Sequence, residues 1–179
     1  TVHKIESVLM GVAKIPRNLA TLIERIHFEE LNLLYLLQST VFANPEIYGS
    51  AIAFEPYAYN PGKRYFSPYC YRLNDKHTRV IFLGGDTYQY FYMDWYQIPR
   101  ELKHAIWSEP YYDEGGGNAI MATFSVPFYQ DIDGARTFRA SVTADISLTW
   151  LREIVSSVKI YDSGYAFLLS RNGLFVTHP

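Results

Sequence analysis

Two carboxylate pairs, Asp113-Glu114 and Asp131/Asp133, a histidine at 104 and the triple glycine Gly115 to Gly117 are the features from which catalysis would have to be built. None has the arrangement that catalysis needs. Neighbouring residues on a strand point to opposite sides, and pairs in a turn are solvated, whereas a two-carboxylate glycosidase needs its carboxyls facing each other across the substrate. A phosphate-cradling loop would place Lys-Ser/Thr and then a helix after the glycines. Here a strand-like run follows. No Ser or Cys lies in a strand-turn-helix elbow. The five His are scattered, and with the lone Cys70 they show no zinc spacing. No cofactor and no metal are expected. A small hydrolase stays open as the rival class.

Binding has better material. Two strand-like runs, Ala119 to Gln130 and Thr137 to Ile146, flank the turn signal Asp131-Ile-Asp-Gly134. In the second run alternation places Phe138, Ala140, Val142, Ala144 and Ile146 on one face. Thr137, Arg139, Ser141, Thr143 and Asp145 fall on the other. The first face suits a packing helix. The second is small and polar and ends in a carboxylate. The aromatic segment before it, from Tyr92 through Trp95, Trp107, Tyr111 and Asp113, reads as a lid over a small-ligand pocket. For Asp145 the competing role is capping of the helix amides after Ser147. For Trp95 and Trp107 it is core packing.

These runs must be held by the rest of a chain of 179 residues, enough for one domain, or for one domain and a fragment of another. With 49% apolar residues a core is assured. The 16 Tyr suit half-wet pockets and exposed strand faces alike. A net charge of -2 leaves no electrostatic footprint for nucleic acid. No apolar run reaches the ~18 residues of a membrane span, and no secretion-signal pattern appears.

Residues 1–27 read as a helix. Ile5, Val8, Val12, Ile15, Leu19, Leu22 and Ile26 form a heptad seam along it, either a dimer contact or the side laid on its own domain. Pro16 predicts a kink or local break near Ile15. A second helix is expected from Phe28 to about Val41. Strands follow over 48–54, 64–72 and 79–83. The middle one has Tyr65, Ser67, Tyr69 and Tyr71 on one face, and Pro68 marks it as an edge strand. Residues 88–95 are ambiguous, and a short helix is expected over Pro99 to Ile106. After the two long strands, Ser147 is the N-cap of a helix over Leu148 to Val158. A hairpin closes the chain, with strands over 164–170 and 174–177 around Arg171-Asn-Gly173. The order predicts an α+β fold, one antiparallel sheet flanked by helices.

The string Trp107-Ser-Glu-Pro-Tyr111, Asp113-Glu-Gly-Gly-Gly117, the Thr123-to-Tyr129 strand and the Thr143-Ala-Asp-Ile-Ser147 strand before a helix resemble the double-Cache sensor domains of bacterial and archaeal receptors. The stretch Ser163 to Pro179 resembles the opening of that family's second, membrane-proximal module. The resemblance runs over nearly the whole chain. It implies a PAS-like sheet behind a long N-terminal helix, and three parts: 1–45 helical, 46–160 the membrane-distal sensor module, 161–179 the start of the proximal module. It implies an extracytoplasmic ligand sensor, not an enzyme, anchored in the membrane by segments outside this chain. The expected ligand is of the amino acid, amine or carboxylate class, and a homodimer through the N-terminal helix is expected. The output, outside the chain, is of kinase, phosphatase, cyclase or chemotaxis type.

The resemblance also implies site residues: Tyr88, Trp95, Tyr96, Trp107, Tyr111, Asp113 and Asp145. In amino-acid sensors of the family an Arg two residues before the Trp-Tyr pair grips the ligand carboxylate, and the Asp and Tyr hold the ammonium. Trp95-Tyr96, Tyr111 and Asp145 match that pattern, but Met93 stands in the Arg position. Three readings follow. Arg100, Arg79 or Arg72 supplies the charge from elsewhere. Or the ligand is a cation or neutral molecule held by Asp145 and an aromatic cage. Or no small ligand binds, and the domain is a protein-interaction and dimerisation module.

Overall fold

The structure, a computed structural model, describes residues 2–158 and 160–178. Thr1, Lys159 and Pro179, which the sequence reading assigns to the first helix, the sensor module and the last segment, lie outside these. The described residues form four α-helices, α1 (Val2–Arg25), α2 (Glu30–Ala43), α3 (Asp94–Leu102) and α4 (Leu148–Ser156). Among them run strands β1 (Gly49–Phe54), β2 (Ser67–Asn74), β3 (His77–Leu83), β4 (Ile106–Trp107), β5 (Tyr111–Tyr112), β6 (Ile120–Ile132), β7 (Ala135–Ser147), β8 (Leu168–Leu169) and β9 (Phe175–Thr177). The main sheet has the order β3-β2-β1-β7-β6-β4, with β5 also paired to β6, and β8-β9 is a separate hairpin. Every pairing in the main sheet is antiparallel. The expected α+β architecture is present.

The alternation of β6 and β7 sorts the core into two layers. Ala122, Phe124, Val126 and Phe128 of β6 join Ala140, Val142, Ala144 and Ile146 of β7 on one face. α1 covers that face with Val12, Leu19, Ala20 and Ile23, and α2 with Leu33, Leu37 and Val41. Much of the N-terminal seam is therefore spent on the protein's own sheet. Val8 and Ile15 are half-buried, and Leu22 and Ile26 are exposed. The opposite face carries Ala51, Ala53, Tyr69 and Leu83 under Tyr90, Phe91, Trp95 and Tyr96.

Five local expectations change. Phe138 leaves the apolar face of β7: the β6–β7 register steps from Phe128↔Ala140 to Tyr129↔Phe138, so Arg139 is the extra residue of a bulge. Phe138 then packs edge-on against Tyr96 at 5.6 Å on the other face. β2 is interior, between β1 and β3, despite Pro68. Pairing with β1 begins only at Tyr69, so the missing proline N–H falls where β2 has just one neighbour in register. α1 runs through Pro16 without a break, with that proline buried on the sheet. The short helix begins five residues earlier than Pro99. Burial of Trp95, Tyr96 and Pro99 on one side makes Asp94–Leu102 the helix, and Lys103 in the left-handed region (φ 57°) ends it. Ser147 occupies the N-cap of α4, but its hydroxyl caps no amide.

Arg72 has a structural task. Its guanidinium donates to the carbonyls of Val41, Asn44 (3.1 Å) and Ile47 (3.4 Å), satisfying acceptors at and just beyond the C-terminus of α2. The helix is thereby tied to β2.

Candidate functional site

The polar end of the second face holds the site. Tyr69 from β2, Ala51 from β1, Leu83 from β3, and Thr143 and Asp145 from β7 form its floor. Tyr88, Trp95, Tyr111 and Asp113 form its cover. The rings leave little free space: the cavity measures about 10 Å³, room for a single water.

Asp145 is at the centre, 3% exposed. The Thr123 hydroxyl donates to its Oδ1 at 2.8 Å. That leaves Tyr111 as the donor to Thr123 Oγ1, also at 2.8 Å. Tyr111 is thus linked to Asp145 through one hydroxyl. The side chain of Asp145 faces this network, so it does not cap α4. The Tyr69 hydroxyl sits beside the Asp145 carboxyl, outside hydrogen-bonding geometry. Burial, and secondarily the negative charge of Asp113, raise the Asp145 pKa to about 7, against the opposing pull of the Thr123 hydroxyl.

Asp113 is held from two sides. Tyr88 donates its hydroxyl to Oδ1 at 2.8 Å, and the Gly117 amide donates to Oδ2 at 2.7 Å. The triple glycine is the turn that makes this possible. A Cβ at Gly117 would lie 2.8 Å from both the Tyr69 hydroxyl and Met121 Cε, so only glycine lets the loop close over the site. Burial first, and the neighbouring carboxylates second, hold Tyr88 and Tyr111 far above the ordinary phenol range. Both are neutral donors at any physiological pH.

Of the residues singled out in the sequence, Tyr88, Trp95, Tyr111, Asp113 and Asp145 converge here. Tyr96 is buried next to the site, but its hydroxyl donates outward to Glu55 Oε2 at 2.7 Å. Trp107 is elsewhere. It packs on Phe124 at 5.2 Å, among the residues on the helix-covered face. As part of β4, opposite Phe124 of β6, it is directed away from the cover. Met93 is partly buried at the N-cap of α3, packed against the aromatic layer.

None of the three arginines compensates for Met93. Arg72 holds α2, Arg100 pairs with Glu55 at 3.5 Å, and Arg79 is exposed on β3. Among the described residues, no Lys, Arg or His lines the cavity. Sequence reasoning missed Tyr69, Ala51, Leu83 and Thr123. Tyr69 had a signal, as one of the aromatic and polar residues on a single face of β2.

Residues 33–153 match the family model described as "Methyl-accepting chemotaxis protein-like, first PDC sensor domain". A curated relative, methyl-accepting chemotaxis protein PscA of Pseudomonas syringae pv. tomato (strain ATCC BAA-871 / DC3000), is 31% identical over 85 residues, 48% of this chain and 13% of that protein. The crystal structure of the extracellular domain of a protein assigned as histidine kinase mmHK1S-Z3 superposes with a TM-score of 0.84 at 27% identity, covering 98% of this chain and 65% of the other. The ligand-binding domain of the Pseudomonas aeruginosa PAO1 amino acid chemoreceptor PctC, solved with GABA, has the same fold, with a TM-score of 0.70, 20% identity and coverage of 98% and 69%. The chain therefore spans 13% of the curated relative and 65% of the kinase domain.

Proposed function

The chain belongs to the family of methyl-accepting chemotaxis protein-like first PDC sensor domains, and from that premise we propose that it senses a small organic cation outside the cell. The observation that carries this reading is the charge of the pocket. Two carboxylates, Asp113 and Asp145, line it together with three Tyr and a Trp, and no basic side chain does. An ammonium between the carboxylates would neutralise buried negative charge and meet ring faces. A carboxylate would be buried beside two of its own kind without a partner. GABA, the ligand of the chemoreceptor domain of the same fold, carries an ammonium and a carboxylate, and only the ammonium has a counter-charge in this cavity. Met93 accounts for a departure from amino acids that need an arginine grip.

Calorimetric titration at pH 8 tests the reading. n-Butylamine and other aliphatic amines are expected to bind. Acetate and butyrate are expected to bind at least 100-fold more weakly. Equal binding of butyrate and butylamine, or binding of butyrate alone, would end the cation reading.

Residues 46–160 make up the sensing unit, 1–45 the N-terminal helical segment laid on its sheet, and 161–179, with the β8–β9 hairpin, the beginning of a second module. The full receptor is anchored in the membrane, and its cytoplasmic output is of kinase or chemotaxis type. Among the described residues no helix is long and apolar enough to cross a membrane. Two copies pair through the exposed edge of the α1 seam. Val8, Ile15 and Leu22 recur every seven residues, and Ile26 follows one turn later, in the half-buried or exposed positions left by packing on the sheet. Sedimentation should show a dimer that Leu22→Glu with Ile26→Glu converts to a monomer with intact amine binding. A wild-type monomer at high concentration would remove this part of the proposal.

A further inference from the structure

Two of the hydroxyl protons around the cavity are already committed. Tyr88 gives its proton to Asp113 Oδ1, and Tyr111 gives its own to Thr123 Oγ1, both at 2.8 Å. The direction of the second bond is fixed because Thr123 donates to Asp145 Oδ1. A phenol has a single proton to give, so both tyrosines can only accept from a group in the cavity they line. Tyr69 lines it as well. It is 2% exposed, and its hydroxyl has no hydrogen-bond partner. Other buried side-chain groups also lack a partner among the described residues, but Tyr69 is the one of them at this cavity. A buried hydroxyl left unpaired forfeits its hydration. A donor arriving beside Asp145 gives it a partner.

We propose that the site takes a primary ammonium and discriminates against quaternary ones, with the hydroxyl oxygens of Tyr69 and Tyr111 accepting the N–H bonds that Asp145 leaves over. This rests on the cation reading of the same site and narrows it. Charge and aromatic rings alone would admit either cation, since a quaternary ammonium also suits ring faces. Two properties of the cavity separate them. Its acceptors are several, and a primary ammonium brings three N–H donors on one nitrogen, whereas a quaternary nitrogen brings none and would leave the Tyr69 hydroxyl as it is. The second property is size. A cavity of about 10 Å³ holds one water. An ammonium head is close to a water in size, and a nitrogen carrying three methyl groups is much larger.

Calorimetry at pH 8 compares n-butylamine with butyltrimethylammonium, which share the same chain and the same charge. The primary amine is expected to bind at least 100-fold tighter, about tenfold for each hydrogen bond to a charged group. N,N-Dimethylbutylamine, with one N–H, should fall between them. Tyr69→Phe and Tyr111→Phe each keep the ring and remove one acceptor, and each should lower the primary-to-quaternary ratio about tenfold. Tyr69→Phe also removes an unpaired buried hydroxyl, so its melting temperature without ligand should be no lower than that of the wild type. Equal wild-type affinity for the two cations, or tighter binding of the quaternary one, overturns the inference and leaves the cation reading intact. An undiminished ratio in either variant overturns it too, because size alone would then set the preference. Failure of every amine to bind overturns both.

Discussion

Replacing Asp145 with asparagine is expected to abolish amine binding and to stabilise the domain at pH 8. The carboxyl is almost fully buried, and burial together with Asp113 raises its pKa to about 7. The unfolded chain has an ordinary aspartate near 4. Between these values the folded state holds a proton that the unfolded state has released. Stability from this group is therefore complete below about pH 4 and is lost as pH rises through 7. A shift of about three pKa units corresponds to an upper limit of roughly 4 kcal/mol. Asparagine keeps the shape and can still accept from Thr123, but it carries no charge to bury. The melting temperature of Asp145→Asn should exceed that of the wild type by about 5–10 °C at pH 8, using ~2–4 °C per kcal/mol for a chain of this size. At pH 4 the two should nearly coincide. Amine affinity should fall at least 100-fold, since an ammonium would lose its principal counter-charge. A gain in stability with a loss of binding distinguishes a functional carboxylate from a structural one. Equal melting temperatures at pH 8 would show that Asp145 is not held against its own charge.

The parts of this site that were legible in the sequence are those with a short period. Alternation over 137–146 predicted which residues of β7 share a face, and it correctly put Ser141, Thr143 and Asp145 together, because side-chain direction in a strand follows from the backbone alone. It failed at Phe138, since one inserted residue, Arg139, reverses every direction beyond it and has no compositional mark. The cover was harder to read. In residues 88–95 five of the eight side chains are aromatic, three of them consecutive, so no period distinguishes helix from strand. The helix at 94–102 arises because Trp95, Tyr96 and Pro99 are buried together, which outweighs the proline. Trp107 has the right composition for a ligand cage but the wrong parity on β4. The lack of a substitute for the arginine missing at Met93 was invisible too. It required seeing that Arg72 is engaged with carbonyls from Val41 to Ile47 and Arg100 with Glu55.

Amine affinity should itself depend on pH, tightening by about 100-fold from pH 5 to pH 8. An aliphatic ammonium, like that of lysine, keeps its proton throughout this range. Asp145 does not. Below 7 it is protonated in the unliganded protein and must release that proton to meet a cation, so affinity falls about tenfold for each pH unit. Above 7 it is already ionised, and affinity levels off. The other titratable groups facing it are Asp113 and the phenols of Tyr48, Tyr69, Tyr88 and Tyr111. Burial raises all four phenol pKa values, so none ionises in this window. Calorimetry in buffers of different ionisation enthalpy should detect close to one proton released per amine bound at pH 5.5 and almost none at pH 8.5. A flat profile would mean that the ammonium does not approach Asp145. The slope also bears on signalling. A ligand changes an equilibrium only through its unequal affinity for two states, and here one of those states is a covered, proton-bearing pocket. On the proposed cation reading, opening under Trp95 and Tyr111 would exchange a proton for an organic cation, so an acidic medium should blunt the response to the same concentration of amine.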